Sequence, residues 1–131
     1  MHQIVQNLLN IESQIKSKID ELKYNNYHPK IVAVSKTFPM SHIMPLIENG
    51  HTHFGENKVQ EALEKWSDIK NDKIKLHLVG KLQTNKVKFA LKIFDFIHSL
   101  DNLKLAKKIS EEQKNFLNKP KIFIQINIGN E

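Results

Sequence analysis

No cysteine occurs among the 131 residues, which excludes disulfides and thiolate metal sites. Arginine is absent as well, so all 20 basic residues are lysine. Arginine is the usual reader of guanine edges and the better fork for phosphate, and without it sequence-specific recognition of nucleic acid is not expected. The net charge is nevertheless +6. Its lysines are spread along helix faces rather than run together, so weak non-specific anion binding is the most they imply. Glycine is scarce, with 4 in the chain. No G-x-G-x-x-G occurs, and a P-loop fails at Gly80-Lys81 because Leu82 follows and Lys75 holds the earlier glycine position. No apolar stretch is long enough to cross a bilayer and no apolar leader core opens the chain, which predicts a soluble, untargeted, cytoplasmic protein without a membrane partner.

What is present is a chain with 40% hydrophobic residues, enough for one domain over residues 1–131. Ile4, Leu8, Ile11, Ile15, Ile19 and Leu22 step by three or four and predict an amphipathic helix over 3–24. A strand follows from Ile31 to Lys36. Ser41 is the expected cap of a helix through Glu48, closed by Asn49-Gly50. His53-Phe54 is too short to assign by pattern, and Asn57 with Gln60 three residues on reads as the start of a helix to about Trp66. Lys75 to Val79 reads as a strand, Gln83 to Phe94 as a helix, and Phe96 to Ser99 as a strand. Asp101 is the expected cap of a helix to about Leu117. The isoleucines at 122, 124, 126 and 128 alternate with other residues, the clearest strand pattern in the chain, over Lys121 to Ile128.

Strand and helix alternate strictly, which implies parallel strands joined by right-handed crossovers in an α/β fold. Two architectures fit: a doubly wound open sheet of about five strands, or the first five strands of a (β/α)8 barrel, which needs about 250 residues to close. Both place ligands at the carboxyl ends of the strands. Lys36, Glu56, Asn57, Gly80, Lys81, Ser99 and Asn127 are expected to gather there.

Lys36 is the residue of most chemical interest. It ends a short apolar strand, Ile31-Val32-Ala33-Val34, and Pro39 forbids further pairing. An amine in that place is either a solvated strand terminus or a desolvated group of lowered pKa that condenses with a carbonyl compound. His51 and His53 could lie on one side of an extended segment, but no third ligand stands near them at metal spacing, so no metal site is expected. His98, Ser99 and Asp101 have triad residue types, yet a triad is assembled from distant segments, and Ser99 and Asp101 read better as a strand end and a helix cap. His77 lies between Leu76 and Leu78 and reads as a hydrogen-bonded core residue unless its face is a barrel interior. Trp66 falls at core spacing.

Three motifs together carry more than each does alone: Val32-Ala33-Val34-Ser35-Lys36-Thr37-Phe38-Pro39, Phe54-Gly55-Glu56-Asn57-Lys58-Val59-Gln60-Glu61, and His77-Leu78-Val79-Gly80-Lys81-Leu82-Gln83-Thr84-Asn85-Lys86. With Ile97-His98-Ser99-Leu100-Asp101, Ile124-Gln125-Ile126-Asn127-Ile128 and Glu131, they closely resemble the YggS/PROSC family of pyridoxal-phosphate homeostasis proteins. The resemblance implies a barrel similar to the N-terminal domain of alanine racemase, here with only about its first five strands, so the chain is expected to be truncated at its C-terminus. It implies pyridoxal 5'-phosphate held as a Schiff base on Lys36, with Asn57 close to the cofactor. His77 and Asn127 would line the same barrel. It implies a carrier with pyridoxal-phosphate-dependent enzymes as recipients, and no catalytic set, since racemisation needs a second base on the opposite face of the substrate carbon. The alternatives are a racemase-like enzyme completed by a partner domain, and a non-functional remnant. The chain departs from the family at Lys81, where a histidine is usual. The phosphate grip of such barrels lies in loops after the last strands, beyond Glu131.

Overall fold

The computed structural model describes residues 2–129, which divide into two compact units. The first unit holds the residues up to Ile31 together with Pro39–His51. Its helix α1, Gln3–Leu22, is capped at the start by the His2 ring, which accepts from the Ile4 N–H at 3.3 Å. It stops at Lys23, whose left-handed φ of 57° lets its N–H turn back to the last carbonyls. Helix α2, Met40–Glu48, packs on α1 and buries Ile43 and Leu46. Pro39, not Ser41, is its N-cap. Proline has no N–H to satisfy and fixes φ near the value a chain needs when entering a helix, so the helix begins directly after it and Ser41 falls inside the first turn.

The second unit, Val32–Phe38 with the chain from Thr52 onward, is built on five parallel strands in the order β1-β2-β3-β4-β5. These are Ala33–Val34, His53–Glu56, Lys75–Leu78, Phe96–Leu100 and Lys121–Ile124. A doubly wound sheet reverses its strand order at a switch point. The strictly sequential order found here is that of a partial α/β barrel and rejects the doubly wound alternative. Register places Val34, Gly55, His77 and Phe96 side by side. Because side chains alternate across a strand, these residues share the inner face with His53 and His98. Phe54, Leu76, Leu78 and Ile97 share the outer face and are buried.

Helices α3 (Val59–Trp66), α4 (Val87–Ala90) and α5 (Leu103–Glu112) supply much of the rest of this unit's core, with Leu82, Leu91 and Phe94 from the segments beside them. Trp66 of α3 meets Phe54 with ring centroids 5.0 Å apart. Several boundaries differ from expectation. Asn57 is not the cap of α3; Lys58 is, without a side-chain bond, and the Asn57 side chain is packed against Gly80. The cap of α5 is Asn102, whose Oδ1 accepts from the Leu105 N–H at 2.8 Å, and Asp101 instead accepts from the Asn102 amide at 3.0 Å. The expected helix over 83–94 is a 3-10 turn at Thr84–Lys86, then α4, then further turns. Val87, Ala90, Leu91 and Phe94 are still buried at helical spacing, so the apolar period was read correctly and its hydrogen bonding was not. Strand β1 covers two residues of the six expected. Strand β5 ends at Ile124, because β4 ends at Leu100 and the Gln125 N–H to the Leu100 carbonyl, at 2.8 Å, is the last rung between them.

Candidate functional site

The chain leaves β1 through a tight turn, Ser35-Lys36-Thr37-Phe38, closed by the Phe38 N–H to the Ser35 carbonyl at 3.2 Å. Thr37 has φ of 66°. A positive φ at the third residue of a turn is the position where glycine or asparagine is usual, and a β-branched residue there costs of order 1–3 kcal/mol. The surroundings hold it. The Thr37 N–H donates to Glu61 Oε1 at 2.6 Å, and the Thr37 hydroxyl donates to the Lys36 carbonyl at 2.6 Å. Lys36 itself is exposed, and its amine has no hydrogen bond or ion pair among the described residues. Its side chain therefore faces solvent at the carboxyl end of β1.

Ser35 is buried and tied to the outer face. Its N–H donates to the Gly55 carbonyl at 2.8 Å and its hydroxyl to Glu56 Oε2 at 2.5 Å. Glu56 is fully buried, and the same oxygen accepts from Trp66 Nε1 at 3.1 Å and from Lys65 Nζ at 2.9 Å. Lys65 also donates to the Ser35 carbonyl at 2.6 Å. A buried carboxylate needs a paired cation and hydrogen bonds to be tolerated, and here Lys65, Trp66 and Ser35 supply them. Glu56 therefore does not join the strand-end rim. It alternates with Gly55 and so points to the helices. Ser99 is turned the same way, between inner-face His98 and Leu100, and is buried with no partner for its hydroxyl among the described residues.

Asn57 and Lys81 are brought together. With Lys58, Gln60, Gln83 and Lys86 they line a cavity of about 370 Å³ between the ends of β2 and β3. A Cβ at Gly80 would collide with the Asn57 side chain and carbonyl, so glycine is required for this approach. Lys36 does not line that cavity. The pairing of Val34 with Gly55 puts Lys36 and Asn57 each two residues beyond the same rung. Asn127 is exposed and engaged with Gln125 and Asp101, at 2.9 and 3.5 Å.

One arrangement was not foreseen. His53 Nδ1 lies 2.9 Å from His77 Nε2, and His77 Nδ1 lies 2.8 Å from His98 Nε2, so three imidazoles form a hydrogen-bonded row across β2, β3 and β4. Phe96 stacks on His77 at 4.2 Å and Phe123 on His98 at 4.6 Å. Burial, then the neighbouring His98 and His53, push His77 down to about 4, and burial also lowers His98. A neutral His77 donates through one nitrogen and accepts through the other, which suits this row and orders its N–H groups in one direction. The signal was in the sequence: 53, 77 and 98 all fall at inner-face positions once the register is known. No group of three or more residues among the described ones is arranged to hold a metal ion. None of the described helices is long and apolar enough to cross a membrane.

The family model described as alanine racemase, N-terminal domain, matches residues 11–131. The chain is 37% identical over 130 residues to the pyridoxal phosphate homeostasis protein of Pasteurella multocida, covering 98% of this chain and 56% of that protein. It is 31% identical over 134 residues to the protein of the same name from Escherichia coli K12, covering 57% of it. Among solved structures, PipY of Synechococcus elongatus with PLP bound superposes with a TM-score of 0.75 at 33% identity, over 88% of this chain and 55% of that one. The chain thus spans about half the length of the relatives it matches. These matches bear out the resemblance read from the motifs and the partial-barrel reading.

Proposed function

This chain belongs to the alanine racemase N-terminal domain family, and from that premise we propose that residues 1–131 serve as a pyridoxal 5'-phosphate-binding part of a cofactor-homeostasis protein. In this reading Lys36 holds the cofactor as a Schiff base and Asn57 lies against it. The observation that carries the reading is the exposed Lys36 amine, unpaired among the described residues, on a fixed turn at the carboxyl end of β1. The relatives' names and the PLP-bound PipY structure support the choice of cofactor.

The residues present fit the group's chemistry. Bound pyridoxal phosphate supplies an aldehyde, which condenses with a primary amine, and the Lys36 amine has no ion pair among the described residues. Asn57 is fixed by its packing on Gly80 and offers an amide donor and acceptor to a neutral polar atom. Holding rather than turnover is the role assigned. The relatives are named homeostasis proteins, and a carrier needs only a reversible anchor, with cofactor-dependent enzymes as recipients.

Titrating the chain with pyridoxal 5'-phosphate should produce an absorbance band in the visible or near-ultraviolet that borohydride abolishes, with the label on Lys36 by peptide mass spectrometry. Lys36→Ala should lose the band. Equal labelling of Lys36→Ala would reject the assignment.

A further inference from the structure

The turn that carries Lys36 is held from a single helix. Glu61 and Lys65 stand one helical turn apart on α3, and their charged ends are 3.7 Å from one another. Glu61 takes the N–H of Thr37, on one side of Lys36, at 2.6 Å. Lys65 takes the carbonyl of Ser35, on the other side, also at 2.6 Å. The peptide between Lys36 and Thr37 is therefore fixed at both its polar atoms, since its N–H meets Glu61 and its carbonyl meets the Thr37 hydroxyl. Such an arrangement answers a specific need. A turn with φ of 66° at a threonine has a competing form in which the central peptide rotates and φ becomes negative, the form threonine prefers. That rotation exchanges the positions of the N–H and the carbonyl, so it takes the N–H away from Glu61.

We propose that Glu61 and Lys65 are positioning residues for Lys36, holding its turn in the φ-positive form so that the amine is presented in one orientation. The inference rests on Lys36 being the cofactor lysine. Neither residue touches the amine. They act through the backbone on both sides of it, and a reacting group held in one geometry gains rate by that alone. Glu61 sits in the first turn of α3, where its charge also suits the helix dipole, so the clamp is compatible with the stability of its own helix.

The test reads the labelling of Lys36 as a ratio to the chain's other lysines, which act as an internal reference. One arm uses pyridoxal 5'-phosphate with borohydride, and a second uses formaldehyde with cyanoborohydride, which needs no cofactor site. Glu61→Ala should lower the Lys36 ratio in both arms by about tenfold, the factor expected from one lost hydrogen bond to a charged group. Glu61→Gln, which keeps the acceptor, should recover most of it. Lys108→Met breaks a comparable pair with Glu112 on α5 and should leave the ratio unchanged, separating positioning from general destabilisation. An unchanged ratio in Glu61→Ala, or an equal fall in Glu61→Ala and Glu61→Gln, would overturn the inference. If wild-type Lys36 is not favoured by pyridoxal 5'-phosphate, the cofactor reading fails, and the formaldehyde arm still decides the positioning claim.

Discussion

Two polar clusters lie on opposite faces of one sheet and solve the cost of burial differently. On the outer face Glu56 is fully buried and charged chemistry surrounds it: an ammonium, an indole N–H and a hydroxyl all converge on one carboxylate oxygen. On the inner face three histidines share protons in a row, backed by phenylalanine rings. The outer cluster is tied to a helix and reaches the backbone beside Lys36. The inner one spans three neighbouring strands. A buried charge must be paired in place, whereas a buried imidazole can give up its proton. The first solution therefore binds elements together, and the second makes the sheet sensitive to pH.

The largest effect should come from breaking the outer cluster. Glu56→Ala strands Trp66 Nε1, leaves Lys65 with the Ser35 carbonyl and the more distant Glu61, and leaves the Ser35 hydroxyl with the Gly55 carbonyl at 3.3 Å, and it should destabilise the chain by about 3–5 kcal/mol, as removal of one partner of a buried ion pair does. Urea unfolding followed by circular dichroism measures it. Glu56→Gln keeps an acceptor and should cost less. A loss under 1 kcal/mol for Glu56→Ala would mean that solvent reaches the cluster and that the two faces differ less than their burial implies.

The inner row should show itself as a pH dependence. His77 is lowered from 6.5 to about 4, so between those values the unfolded chain binds the proton that the folded chain refuses. The stability this gives is complete above pH 6.5 and is lost as pH falls toward 4. Its size should be on the order of 2–3 kcal/mol. His77→Phe should flatten this part of the stability profile. A wild-type profile already flat from pH 7 to 4 would remove the distinction between the faces.

Much of this was legible before the structure, for physical reasons that vary from residue to residue. Strand and helix alternation gave parallel strands because only crossovers of that length fit between them, and the turn at Lys36 was marked by Pro39. Strand ends were harder. Ile126 and Ile128 continue the alternation of β5, but a strand exists only where a neighbour pairs with it, and β4 stops at Leu100. The caps at Ser41, Asn57 and Asp101 were each misplaced by a residue or two, since capping depends on where a side chain is drawn by tertiary contacts, as Asn57 is by Gly80. Glu56 and Ser99 were assigned to the rim because sequence position along a strand was read without its face. The clamp on Lys36 was invisible because it joins residues 24 and 30 positions apart, a pairing that no local pattern encodes.

The smallest effect separates two adjacent residues on opposite faces. Ser99 is buried toward the helices with its hydroxyl unpartnered among the described residues. His98 next to it is paired with His77 and stacked on Phe123. An unsatisfied buried hydroxyl holds a desolvation cost that its removal relieves, so Ser99→Ala should be neutral or stabilise by up to about 1 kcal/mol. His98→Ala should destabilise by about 1–2 kcal/mol through one lost hydrogen bond and one lost ring stack. Urea midpoints at an unchanged slope measure both. Should Ser99→Ala lose stability instead, its hydroxyl has a partner that burial hides, and the outer face is better satisfied at β4 than at β2, where Glu56 Oε1 is buried without a partner among the described residues.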